Sequence, residues 1–265
     1  MFKKIFLVFT LFWLSGCASL PEVSLFEPTP QVKIPRIGYL VNVRPNPTHT
    51  HYGTTALTNF SKTYQYNWHI PNYIENKLEE SLKLVNVNPI NLRTKGIEPN
   101  QVNGLLKKQN DVWVISKGFG ETYRKLANEL DLSAIVIINE GDKPGVTDCG
   151  VLGCNELQAK GYGLLSQSFI NTDNFYSATA FYAHLYWLKP TPESLDAYLA
   201  EINHSREMTL VAVAKSSQVQ PNKIDFVYPQ DFNNWTESEL KPLRVPLVKY
   251  IEGMSKELAR VIKEH

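Results

Sequence analysis

This chain has little sulfur and almost no charge bias. Three cysteines and three methionines are spread over 265 residues, and 27 basic side chains stand against 26 acidic ones, a formal net charge of +1. So even a balance provides no basic field of the kind that draws nucleic acid, and no nucleic-acid partner is expected. Recognisable catalytic signatures are missing too. There is no Gly-x-Ser-x-Gly, no His-Glu-x-x-His, no calcium loop and no phosphate-binding run of glycines ending in Lys. These gaps argue against the common hydrolases, zinc proteases and nucleotide enzymes, and no cofactor is expected.

What is present begins at the amino terminus. Lys3 and Lys4 precede an apolar run from Ile5 to Leu14, followed by Leu14-Ser15-Gly16-Cys17. The run is about half the roughly 20 residues that span a bilayer, so it reads as an export signal rather than an anchor helix. Leu-Ser-Gly-Cys resembles the lipobox of bacterial lipoproteins. That resemblance implies cleavage before Cys17, a diacylglyceryl group on its sulfur and an acyl group on its amine. One acyl chain holds a protein only marginally, whereas two or three fix it to the membrane. By the family's sorting rule, Ala18 and Ser19 after the cysteine imply the outer membrane, periplasmic face. Residues 1–16 are set aside as signal. Residues 17–36, with Pro21, Pro28, Pro30 and Pro35, read as a lipidated tether, and 37–265 as a single periplasmic domain.

With Cys17 lipidated, Cys149 and Cys154 remain, with four residues between them in a glycine-rich stretch. Two thiols in an oxidising compartment should pair, and closing that ring would stabilise the fold by roughly 2 kcal/mol in the chain-entropy model. A redox pair usually has two intervening residues, and a zinc site lacks further ligands nearby.

Along the domain, Ile37 to Val43 reads as a strand and Arg44 to Trp68 as a long polar connection. Loops of that length are often functional. Pro71 opens a helix to Leu84 with Ile74, Leu78 and Leu82 on one stripe. A strand at Val85 to Val87 stopped by Pro89, a helical stretch at Gln101 to Lys108, a strand at Val112 to Ile115 and a helix at Glu121 to Leu130 follow. Ala134 to Ile138 is an unbroken apolar strand suited to the middle of a sheet covered on both faces. After the cysteine ring come strands at Tyr162 to Phe169, Ala178 to Leu188 and Met208 to Ala214, expected to pair antiparallel, with a short helix or hairpin at Pro192 to Asn203. An irregular aromatic segment fills Pro229 to Pro246. The last element is an amphipathic helix carrying Leu247, Ile251, Met254, Leu258 and Val261.

This order predicts an α/β or α+β three-layer sandwich with a mixed sheet, antiparallel in its second half, and a C-terminal amphipathic helix. Lys125-Leu126-Ala127-Asn128-Glu129-Leu130 running into Ile135-Val136-Ile137-Ile138 is similar to the helix and following strand of the curli-secretion and penicillin-binding-protein-activator lipoproteins. The likeness covers about half the chain and departs at the His-containing loop and the cysteine ring, so no functional residue is transferred from it.

Candidate chemistry is sparse. His49-Thr50-His51 puts two imidazoles on one side of an extended backbone, half a zinc or copper site without a third ligand, and reads as a solvated loop. His69 lies farther along that connection. Gly118-Phe119-Gly120 reads as a turn, Ser166 as a strand surface residue, and Asp142 and Asp148 as turn residues. Phe175, Tyr176, Phe181, Tyr182, Tyr186 and Trp187 read as core aromatics, with a partner surface as the alternative. The expectation is a non-catalytic, membrane-anchored accessory or assembly factor that binds another envelope protein. The alternative is a ligand-binding lipoprotein taking glycan, lipid or metal at the 44–68 loop, with His49 and His51 as its possible ligand residues. An envelope hydrolase comes last, no metal site is assigned, and no oligomeric state follows from the residues.

Overall fold

The apolar stretches of the sequence become two sheets. A computed structural model describes residues 33–109, 112–150, 153–169, 172–189 and 222–264. The signal segment, Cys17, most of the tether, Pro192 to Asn203 and the strand expected at Met208 to Ala214 lie outside these residues.

The first sheet contains β1 (Arg36–Asn42), β4 (Asn88–Asn91), β7 (Ala134–Glu140) and β12 (Phe181–Trp187) in the order β12-β7-β1-β4. β1 runs parallel to β4 and β7, and β12 closes the other side antiparallel. Side chains of a strand alternate between faces, and both faces here are covered. Ile37, Tyr39, Val41, Ala134, Val136 and Ile138 join one core with helices α1 (Ile70–Leu84) and α4 (Glu237–Lys263). Leu40, Ile135 and Ile137 join the other, under α2 (Pro99–Val102) and α3 (Gly120–Arg124), which runs on into a π-helical turn at Lys125–Glu129. Helices on both faces of a mixed sheet make the α/β three-layer arrangement that the order of elements predicts. Ile74, Leu78 and Leu82 of α1 and Leu247, Ile251, Met254, Leu258 and Val261 of α4 are all buried.

The second sheet contains β2 (Thr48–Tyr52), β3 (Phe60–Thr63), β10 (Tyr162–Phe169), β11 (Thr172–Thr179) and the short β13 (Asn222–Lys223), in the order β13-β11-β10-β2-β3. All its pairings are antiparallel except β10 with β2. Two hairpins complete the fold: β5 (Leu106–Gln109) with β6 (Val112–Ile115), and β8 (Asp142–Gly150) with β9 (Gly153–Lys160). The described residues from Ile34 onward belong to one compact unit. Among the described residues no helix is long and apolar enough to cross a membrane.

Several expectations need correction. The connection from Arg44 to Trp68 is no structureless loop: it holds β2 and β3, which pair with each other. The strand near Val85 begins at Asn88 and includes Pro89, tolerated because β4 is an edge strand. The helix placed at Gln101 to Lys108 ends at Val102, and β5 starts at Leu106. Ala178 to Leu188 is two strands, β11 and β12, which separate at Ala180 into different sheets. The stretch that carries Cys149 and Cys154 is the β8–β9 hairpin, with a register shift between Pro144 and Thr147. Helix α4 starts ten residues before Leu247 and carries Pro242 and Pro246 inside it, launched by a capping box in which Thr236 and Glu239 bond each other's backbone amides.

Candidate functional site

The second sheet brings the two histidines to a common point. β2 alternates Thr48, His49, Thr50, His51 and Tyr52, so both imidazoles leave the same face. Parallel pairing sets Ser166 of β10 beside His51, while antiparallel pairing sets Phe60 of β3 beside His51 and Lys62 beside His49. The close approach of β10 depends on Gly163, whose φ is +136° and where a Cβ would sit 2.4 Å from the carbonyl oxygen of Thr48. That is a backbone a larger residue could not adopt without strain.

Within this frame His49 Nε2 lies 2.7 Å from Ser166 Oγ and His51 Nδ1 lies 2.8 Å from the same oxygen. The other nitrogen of His49, Nδ1, bonds the Tyr64 hydroxyl at 3.1 Å. Tyr228 also hydrogen-bonds Ser166. The result is a chain of polar groups, Tyr64 to His49 to Ser166 to His51, in which His49 and Ser166 are each only 1 % exposed. Aromatic rings surround it. Phe232 stacks on His49 at 5.6 Å, Phe60 stacks on His51 at 5.0 Å, and Tyr64 stacks on Phe232 at 4.7 Å. The segment bearing Tyr228 and Phe232 is tied down where the backbone N–H of Gln65 donates to Asn233 Oδ1 at 3.0 Å.

Burial in this apolar box disfavours a charged imidazole. His49 is pushed down to about 4 by desolvation, with the neighbouring His51 adding to the effect. Desolvation also lowers His51, partly opposed by the carboxylate of Asp173. Both rings are therefore neutral near pH 7, with lone pairs available. The expectation of a solvated loop at His49 and His51 fails because these residues lie in a sheet covered by aromatic side chains. Ser166 occupies a strand as expected, but it is buried and not on the surface.

A second polar group occupies the carboxyl ends of β1 and β7. The Asn42 amide donates to Asn139 at 2.8 Å, and the Asn139 amide donates to Asn103 at 3.0 Å. Arg44 pairs with Glu140 at 2.6 Å and also donates to Thr48 and Thr63, tying the end of β7 to β2 and β3. Reading the sequence missed these residues. Their signal is placement: with β4, β1 and β7 in the spatial order second, first, third, the chain reverses its winding between β1 and β7.

The other candidates stay apart. The backbone register sets Cys149 directly opposite Cys154. Asp142 is exposed at the start of β8, and its carbonyl accepts a hydrogen bond from Tyr182; the side chain of Asp148 lies outside the described residues. His69 occupies the N-cap position of α1 with a φ of +56° and no side-chain capping bond. Gly118 lies in the turn before α3, Phe119 is at its N-cap position and Gly120 is its first residue. Among the described residues no group of three or more His, Cys, Asp and Glu side chains is disposed to hold a metal ion. Comparison of the chain with protein-family models, with curated proteins and with solved structures finds no match, so function is argued from this geometry.

Proposed function

We propose that this protein is a non-catalytic accessory or assembly factor, held by lipid on Cys17 at the periplasmic face of the bacterial outer membrane, which binds another envelope protein along the edge strand β3. The observation that carries the reading is the exposure of that edge. All four residues of β3 are exposed, and among the described residues its only sheet neighbour is β2. An open edge is a template on which a partner can add a strand. Large apolar side chains gather beside it: Leu57 is 97 % exposed and Phe60 43 %, and Tyr228, which faces the same imidazole as Phe60, is 46 % exposed. Anchoring such a surface to a membrane raises the local concentration of partners there.

A bridge between Cys149 and Cys154 belongs to the same reading. Residues directly opposite in an antiparallel ladder have Cα atoms about 4.5–5.5 Å apart, within the roughly 4.4–6.8 Å that a disulfide spans.

The test is capture from detergent-solubilised envelopes with cross-linking residues placed on β3. A specific envelope protein recovered by the unaltered chain and lost on Phe60→Asp supports the reading. Recovery of nothing specific, or equal recovery after Phe60→Asp and Tyr228→Asp, overturns it. Mass spectrometry of the native product showing an intact Met1 and a free thiol at Cys17 would remove the membrane address.

A second reading, a ligand-binding lipoprotein using the 44–68 segment, is favoured by one observation: the convergence of His49 and His51 on a single hydroxyl.

A further inference from the structure

A hydroxyl group carries one proton, yet Ser166 Oγ meets two imidazole nitrogens, His49 Nε2 at 2.7 Å and His51 Nδ1 at 2.8 Å. Ser166 Oγ, which is also hydrogen-bonded to Tyr228, can satisfy the lone pair of at most one of them, and the other ring must turn an N–H toward the oxygen. A cation at that point would satisfy both lone pairs at once. We propose that His49 Nε2 and His51 Nδ1 bind one first-row transition-metal ion that prefers imidazole, zinc or copper, with Ser166 Oγ as the third protein ligand. The proposal rests on the ligand-binding reading of the 44–68 segment and is independent of a partner at β3.

The geometry is close to what such an ion requires. Metal–imidazole bonds are about 2.0–2.1 Å, so each nitrogen needs to approach the point now held by Oγ by roughly 0.7 Å, with the hydroxyl turning aside to coordinate. Imidazole suits zinc and copper better than the hard cations, and a neutral ring is the ligating form. The outer contacts fit as well. A metal-bound imidazole commonly donates its remaining N–H to an oxygen that fixes its orientation, and the Tyr64 hydroxyl stands 3.1 Å from His49 Nδ1 in that position. His51 is half-buried beneath the exposed ring of Phe60, whereas His49 is enclosed. An ion would therefore enter from the His51 side, past the Phe60 ring, with water completing the coordination.

The sequence shows half of this site and cannot show the rest, because Ser166 lies 115 positions beyond His51. Only the parallel pairing of β10 with β2 brings the hydroxyl in.

The test is calorimetry of the full chain, purified without an affinity tag, titrated with zinc chloride and with copper(II) sulfate near pH 7. Saturable binding of one ion per chain is expected for at least one metal, and which metal gives it separates zinc from copper. His51→Gln should weaken binding at least tenfold, and Tyr64→Phe about 10- to 100-fold. His69→Gln, a distant control, should leave it unchanged. Paramagnetic resonance of the copper-loaded protein should report two imidazole nitrogens, a readout that needs no variant. Absence of saturable binding of either ion up to millimolar concentration overturns the proposal. So does undiminished affinity in folded His51→Gln, or a copper spectrum with fewer than two nitrogens.

Discussion

The two sheets bury different chemistry. At the centre of the first, Ile135, Val136, Ile137 and Ile138 of β7 are fully buried between two helical layers. The second buries Thr48, His49, Thr50, Ser166, Gln167 and Ser177. Burying apolar area stabilises a fold by about 25 cal/mol per Å², whereas a buried polar group must find a partner merely to recover its desolvation cost. The first sheet therefore carries stability. The second combines the apolar Tyr162, Leu164, Leu165 and Ala178 with a buried polar set held in one specific arrangement, as the proposed binding role requires.

The largest effect expected from this contrast lies in the first sheet. Ile137→Ala deletes methyl groups that pack against α3 and should cost about 2–5 kcal/mol, read as a lowered urea midpoint with unchanged slope. A cost below about 1 kcal/mol would mean that the site collapses freely, and the contrast would lose its first half.

The next effect separates the sheets by pH. His49 takes up a proton only near pH 4 in the fold, against an ordinary value of 6.5. Between these values the unfolded chain holds more protons than the folded one, so stability falls as the pH drops. It is fully present above about 6.5 and reduced by about 3 kcal/mol below 4. His51 shifts in the same direction. Carboxylates such as Glu79, which Tyr39 and Lys83 hold below the usual range, add their own acid loss, and a variant can separate the two. His49→Gln should leave that carboxylate loss and remove the step between pH 6.5 and 4, measured by urea unfolding at pH 7 and 4.5. An unchanged step in His49→Gln would show that the imidazole box is open to water.

The same contrast explains what could be read from the chain. β7 was legible because four consecutive β-branched apolar residues admit few alternatives, and α1 because Ile74, Leu78 and Leu82 repeat at helical spacing. The second sheet hid itself. The alternation of Thr with His in β2 looks like loop polarity, although Thr is β-branched and the period is two. Pro242 and Pro246 masked the first turns of α4, since an interior proline usually marks a break, while the capping pair Thr236 and Glu239 marked the true start. The meeting of His49, His51 and Ser166 had no local signal, because strand register over more than 100 residues decides it.

A smaller effect probes the network itself. Tyr64→Phe removes the partner of His49 Nδ1 and leaves a buried ring nitrogen unsatisfied, at an expected cost of about 1–3 kcal/mol. If denaturant unfolding shows no loss, water reaches His49 and the network is not sealed.

The smallest expected effect concerns Ser177, where the second sheet meets helix α4. Its hydroxyl donates to the carbonyl of Leu243 at 2.8 Å, in a buried position. That carbonyl lies between Pro242 and Pro246, and because Pro246 has no amide proton the carbonyl of Pro242 loses its helical donor. Ser177 thus pins β11 to the stretch of helix whose own ladder is weakest. Ser177→Ala removes one neutral hydrogen bond and should cost about 1 kcal/mol in a urea titration, because the helix still offers Leu243 its own amide partner. A loss of 3 kcal/mol or more would show that polar contacts of the second sheet hold the helix in place. The division between a sheet that stabilises and a sheet proposed to bind would then have to be abandoned.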